Sequence, residues 1–131
     1  METTTPHKPM VLMVEDEEDT ASLLKFLLER ASYRVVHAKD GRSAQELVDT
    51  MEQPDIILLD VMLPFPSGLQ VLTYIRSKAA WEKVPIVMLT ADGSEHDIKR
   101  ALESGANDYM LKPFNPRELT SRLKRFLGPS A

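Results

Sequence analysis

There is no cysteine among the 131 residues, which removes disulfides, thiolate metal sites and cysteine nucleophiles together. No apolar run approaches the roughly 18 residues needed to cross a bilayer, and the opening METTTPHKP lacks the apolar core of a signal peptide. The expectation is therefore a cytoplasmic protein without a membrane partner. Positive charge is not in excess: 16 Lys and Arg against 20 Asp and Glu give a net charge of -4, which argues against direct binding to nucleic acid. His7, His37 and His96 show no metal-ligand spacing. Internal repeats and low-complexity blocks are missing as well.

What is present is ordinary globular material. Apolar residues make up 43% and charged ones 27%, in a chain long enough to bury about two-thirds of its unfolded surface as one domain. The reading is a tail over 1–9, a domain over 10–127 and a tail over 128–131. Short apolar or β-branched runs fall at 11–14, 34–38, 55–59, 86–89 and 108–111, each of strand length. Segments of helical spacing separate them, such as Leu24, Leu27, Leu28 and Ala31, then Ala44, Leu47, Val48 and Met51. Ser67 and Ser94 stand at N-cap positions, Gly105 at a helix stop, and Asn115, Pro116 and Glu118 form a cap, a first-turn proline and a third-position acid.

Five strand–helix units with unbroken apolar strands predict an α/β fold, a parallel sheet covered on both faces. Ligands of such sheets bind outside the carboxyl ends of the strands. Those ends carry Glu15 and Asp16 after strand one, Asp60 after strand three, Thr90 after strand four, and Lys112 before Pro113 after strand five. A polar residue opening one loop means little; five on one sheet edge make a site.

Neighbouring carboxylates repel by about 4 kcal/mol per pair at about 4 Å and an effective dielectric of about 20. An all-oxygen set relieves this by holding a hard divalent cation, and Mg²⁺ suits one or two carboxylates with water and phosphate oxygens. A carboxylate nucleophile for phosphoryl transfer needs no catalytic base, because it carries no proton. The reading is that Asp60 is there to be phosphorylated, with Lys112 as a movable charge and the Thr90 hydroxyl as a donor.

The ordered motifs VLMVEDEE, DIILLDVMLP, PIVMLTA and DYMLKPF resemble the receiver domain of bacterial two-component response regulators, from about Lys8 to Leu127. The resemblance implies a flavodoxin-like (βα)5 fold with strand order 2-1-3-4-5 and Asp60 as phosphoacceptor, loaded by a sensor histidine kinase or phosphotransfer protein. It implies Mg²⁺, with Mn²⁺ as a substitute, held by Asp16, Asp60, Glu15 through water and the carbonyl of Met62. Thr90 and Tyr109 match the family's switch pair. Ala91 leaves room for the phosphate, and the Lys112–Pro113 peptide bond is expected to be cis. Glu15 stands where Asp is commoner, and FPS at 65–67 replaces a more flexible turn. The family is a signalling phosphoacceptor and not an enzyme acting on separate substrates.

The segment GANDYMLKPFNPREL further resembles the winged-helix transcription-factor branch, in which helix four, strand five and helix five form a dimer or partner face. Asp108 and Arg122 are candidates for its charge pairs. A stand-alone receiver is the direct expectation, with a receiver of a larger DNA-binding regulator or hybrid kinase as the alternative. Two rivals fit poorly. A haloacid-dehalogenase-type hydrolase would carry a second acid where Met62 stands, and a flavin mononucleotide carrier would place a phosphate cradle where the acids Glu15 to Asp19 lie. Trp81 is read as a partly covered loop aromatic. Arg117, Arg122, Lys124 and Arg125 are read chiefly as complementing a helix dipole.

Overall fold

Strands buried on both sides sit in the middle of a sheet, and the computed structural model, which describes residues 8–91 and 95–128, places them there. In chain order the elements are β1 (Met10–Val14), α1 (Glu18–Arg30), β2 (Arg34–Ala38), α2 (Gly41–Thr50), β3 (Ile56–Asp60), α3 (Gly68–Arg76), β4 (Ile86–Thr90), α4 (Glu95–Glu103), β5 (Asp108–Leu111) and α5 (Pro116–Leu127). The sheet has the order β2-β1-β3-β4-β5, and every neighbouring pair is parallel. This is the flavodoxin-like arrangement expected. Every residue of β3 and β4 is buried, whereas the edge strand β2 is half open.

Period-2 alternation divides the core in two. Leu12, Val14, Ile57, Leu59 and Met88 face one cluster together with residues of α2, α3 and α4. Val11, Met13, Ile56, Leu58 and Leu89 face the other, under α1 and α5. Burial of this kind stabilises by roughly 25 cal/mol per Å² of apolar area.

The expected caps form where they can be described. Ser67 accepts from Gln70 N in a capping box, and Asn115 accepts from Arg117 N with Pro116 in the first turn. Gly105 stops α4 with φ 116, a left-handed conformation that glycine adopts without the Cβ penalty. Ser94 lies outside the described residues. Glu17 caps α1 through Thr20 N and Asp19 N, which the sequence reading did not foresee.

Three expectations need correction. β3 begins at Ile56 and includes Asp60; Asp55 lies in the bend before it, where its carboxylate accepts from Met10 N at 2.7 Å and its own N–H donates to Met10 O. β4 likewise includes Thr90. Trp81 is buried at 4% exposure, since residues Ala79–Trp81 coil into a 3-10 turn that drives the ring into the core beside α3.

Arg76 fastens this region. Its guanidinium donates to Gly105 O, Trp81 O and Asn107 Oδ1, each at 2.9 Å, so one side chain ties α3 to the 3-10 turn and to the α4–β5 connection. Arg76→Met removes all three bonds, although Asn107 Oδ1 still accepts from Ile86 N and Trp81 O from Val84 N, and is expected to lower unfolding free energy by about 2 kcal/mol. A urea titration checks this: the midpoint should fall while the slope stays the same.

Candidate functional site

The strand ends converge as the parallel topology requires. Glu15, Asp16 and Asp60 each offer a carboxylate oxygen, and these oxygens all lie within 4.8 Å of one another. Glu15 and Asp60 are buried, at 0% and 3% exposure, while Asp16 is exposed to solvent. The Lys112 ammonium sits between the buried two, 2.6 Å from Glu15 Oε1 and 3.1 Å from Asp60 Oδ2. The remaining oxygens are held by backbone: Met62 N donates to Asp60 Oδ1 at 2.9 Å, and Glu17 N donates to Glu15 Oε2 at 3.1 Å.

Charge counting shows what this set can take. Three carboxylates against one ammonium leave 3 - 1 = 2 negative charges uncompensated. Burial above all, with Asp60 adding to it, pushes the Glu15 carboxyl above its ordinary range although Lys112 pulls the other way. Burial works against the Lys112 charge too, but Glu15 and Asp60 outweigh it and hold the ammonium above its usual range. An anionic, oxygen-only pocket with one open acid at its mouth fits a hard divalent ion carrying water, better than a soft metal.

The β3–α3 turn is held against the site. A Cβ on Gly68 would strike Asp60 O and come within 2.7 Å of Val61 Cα, so only glycine lets α3 start this near the end of β3. Among the described residues two peptide bonds are cis, Lys112–Pro113 as expected and Phe65–Pro66 in the turn.

The other expected residues fall around this centre. Thr90 is buried at 3% exposure and its carbonyl accepts from Lys112 N at 2.8 Å. Ala91 and Lys112 share an open hollow with Thr20, Leu23, Pro113 and Phe114. Met62 turns its side chain outward, at 66% exposure, and presents its backbone to Asp60. Tyr109 is half-buried against the cluster beneath α2, α3 and α4. Arg122 lies over its ring at 5.8 Å and donates to its carbonyl. Asp108 is not an idle surface acid: it pairs within the chain with Arg122 at 2.6 Å and Arg125 at 3.2 Å. Those two arginines therefore do more than complement the α5 dipole.

His37, weighed in the sequence only for metal-ligand spacing, has its Nε2 2.8 Å from Glu15 O. The signal was available, since His37 stands one residue before the end of β2, near the same sheet edge as the five residues noted.

Comparison with known proteins points the same way. A family model of the response regulator receiver domain matches residues 11–124. The alkaline phosphatase synthesis transcriptional regulatory protein PhoP of Bacillus subtilis is 46% identical over 120 residues, covering 92% of this chain and 49% of that protein. The phosphate regulon transcriptional regulatory protein PhoB of Escherichia coli is 43% identical over 124 residues, covering 92% of this chain and 54% of that protein. The chain thus spans about half the length of these relatives. Among solved structures, the receiver domain of the Pseudomonas aeruginosa sensor histidine kinase PA1611, with magnesium coordinated in its active-site cleft, matches with a TM-score of 0.86 at 32% identity, over 94% of this chain and 100% of that one. Chemotaxis protein CheY4 of Vibrio cholerae matches with a TM-score of 0.87 at 30% identity, over 92% of this chain and 100% of that one.

Proposed function

The chain belongs to the response regulator receiver family, and from that membership we propose that Asp60 is its phosphoacceptor, loaded from a phosphohistidine on a sensor kinase or phosphotransfer protein. The observation that carries the reading is the pairing of a buried carboxylate with Lys112 inside a pocket that keeps two negative charges uncompensated. An Asp60 carboxylate oxygen, which needs no deprotonation, attacks phosphorus, and the P–N bond to the donor imidazole breaks as the new O–P bond forms. Met62 N–H fixes one oxygen of Asp60 and so aims the other. Lys112, already between Glu15 and Asp60, swings onto the incoming phosphoryl oxygens.

Asp16, Asp60, Glu15 and the Met62 carbonyl would hold Mg²⁺, or Mn²⁺ in its place. Bound there, the ion screens the carboxylates from the phosphate and neutralises the charge that spreads in transfer. Incubation with acetyl phosphate and Mg²⁺ should add one hydroxylamine-labile phosphoryl group, and chelation should prevent it. Labelling that ignores chelation, or that resists hydroxylamine, refutes the reading.

The output runs through Thr90 and Tyr109. Thr90 lies at the end of β4 beside the site, Ala91 leaves space for the phosphate, and Tyr109 stands on β5 three residues before Lys112. A hydroxyl that moves toward the phosphate frees room for the ring and reshapes the α4–β5–α5 face, where a second copy or a downstream protein binds. Thr90→Ala is expected to accept phosphate, though more slowly, yet lose most of the phosphate-dependent amide shifts on that face. Full shifts in both Thr90→Ala and Tyr109→Ala would rule out the hydroxyl–aromatic route.

The twofold greater length of the two transcriptional relatives favours a receiver within a longer transcriptional regulator over a stand-alone one. On that reading nucleic acid returns as a partner of the whole regulator, through residues outside these 131. The charge argument for excluding it holds only for the receiver surface.

A further inference from the structure

Building on the phosphoacceptor reading, in which Asp16 is a protein ligand of the cation, we propose that His37 is a positioning residue for that site: its imidazole holds the peptide that aims Asp16 and so sets how tightly Mg²⁺ binds. Two of the three carboxylates are steadied through their own oxygens, Asp60 by Met62 N–H and Lys112, and Glu15 by Glu17 N–H and Lys112. Asp16 is the exposed one. Among the described residues its carboxylate makes no hydrogen bond or ion pair, so the backbone alone sets its aim.

That backbone is caught between two groups of β2. Val14 pairs with Ala38 as the last step of the parallel register, and Glu15 N–H carries the ladder one bond further, to Ala38 O at 3.1 Å. There β2 ends. Asp40 turns the chain into α2 as its N-cap, and the Glu15 carbonyl is met by a side chain instead, His37 Nε2 at 2.8 Å. A carbonyl only accepts, so Nε2 donates. The Glu15 carbonyl and the Asp16 N–H share one rigid peptide plane, and holding the oxygen keeps that plane from turning. The Asp16 Cα stays in place, and the directions open to its side chain narrow.

A simple tie between strands explains less. The β1–β2 register is complete without the imidazole, and an exposed histidine on an edge strand adds little burial. What its bond adds lies past the ladder, next to the one acid of the site without support of its own. The charge of the ring is not what matters, because neutral and charged imidazole can both keep a proton on Nε2. An uncharged N–H donor of similar reach, such as the glutamine amide, should serve. Groups that orient a ligand without touching the ion commonly change its affinity by about 10- to 100-fold when removed, and one bond at an exposed position belongs at the low end.

Mg²⁺ titrations followed by the amide resonances of Asp16 and Met62 read the affinity in the parent, His37→Ala and His37→Gln. His37→Ala is expected to bind Mg²⁺ about tenfold more weakly, and His37→Gln to recover most of the loss. Melting temperatures without Mg²⁺ should stay near the parent's in both, since an exposed side chain is replaced and the ladder is kept. Labelling by acetyl phosphate should be slower in His37→Ala at limiting Mg²⁺ and catch up at saturating Mg²⁺, because Asp60 and Lys112 are untouched. Parental Mg²⁺ affinity in His37→Ala, whatever its melting temperature, would overturn the proposal. So would an equal loss of affinity in His37→Gln, or a labelling deficit that persists at saturating Mg²⁺. A parent that binds no Mg²⁺ is a different outcome, which overturns the phosphoacceptor reading and the role of His37 with it.

Discussion

Asp60→Asn takes up phosphate from acetyl phosphate and Mg²⁺ at least roughly a thousandfold more slowly than the parent, as expected when a sole nucleophile is lost. The amide keeps the shape of the side chain and can still meet Met62 N–H, so the fold survives. It lacks the anionic oxygen that must attack. No neighbour replaces it: Glu15 is fully buried and held by Lys112 and Glu17 N–H, and Asp16 is open to water. Loss of one carboxylate also relieves repulsion, so the melting temperature without Mg²⁺ should equal or exceed the parent's. Intact-mass measurement during labelling reads the result directly. Labelling at the parental rate would move the phosphoacceptor elsewhere.

Lys112→Met is expected to carry the largest stability effect. The lysine side chain is 18% exposed, between carboxylates at 0% and 4%, so its removal strands buried negative charge. Breaking a buried pair this way costs about 3 kcal/mol at neutral pH, the low end for a fully buried pair, because water reaches the ammonium. The pH dependence has a definite sign. Burial already raises the Glu15 carboxyl above its ordinary range, so the folded state holds that proton more readily than the unfolded one. Stability gained from it is present at low pH and is lost as pH rises through the raised value. Without Lys112 that rise grows, and the deficit should be greatest near about pH 7.5 and shrink toward about pH 5. The parental lysine, itself raised, contributes steadily until pH climbs past the ordinary lysine range. Denaturation at three pH values, with and without Mg²⁺, tests both arms; a deficit indifferent to pH and to Mg²⁺ would contradict the charge argument.

How much of this could be read from the residues follows from the range of the interactions. The strand runs and the caps at Ser67 and Asn115 are written in local periodicity and turn chemistry, and the parallel order follows from alternation. The gathering of Glu15, Asp16, Asp60 and Lys112 was legible because a parallel sheet sends all its strand ends to one edge. What escaped was decided by distant partners. Asp55 lies outside β3, where its carboxylate accepts from Met10, 45 residues earlier. Trp81 goes inside because a 3-10 turn redirects it. Arg122 faces Asp108 across 14 residues, a pairing that helix periodicity alone does not disclose.

The backbone bond from Lys112 N to Thr90 O extends the ladder that pairs Thr90 with Leu111, and it stitches the ends of β4 and β5 together. Any message leaving the site by sliding one strand past the other would have to break that seam and the register behind it. Turning a threonine and a tyrosine about their own bonds breaks none of it. Such rotations cost side-chain freedom instead of main-chain hydrogen bonds, and so two conformations can lie within a few kcal/mol of each other. On the proposed switch, a resting molecule would already sample its signalling form in a small fraction of copies, and phosphorylation would shift that population.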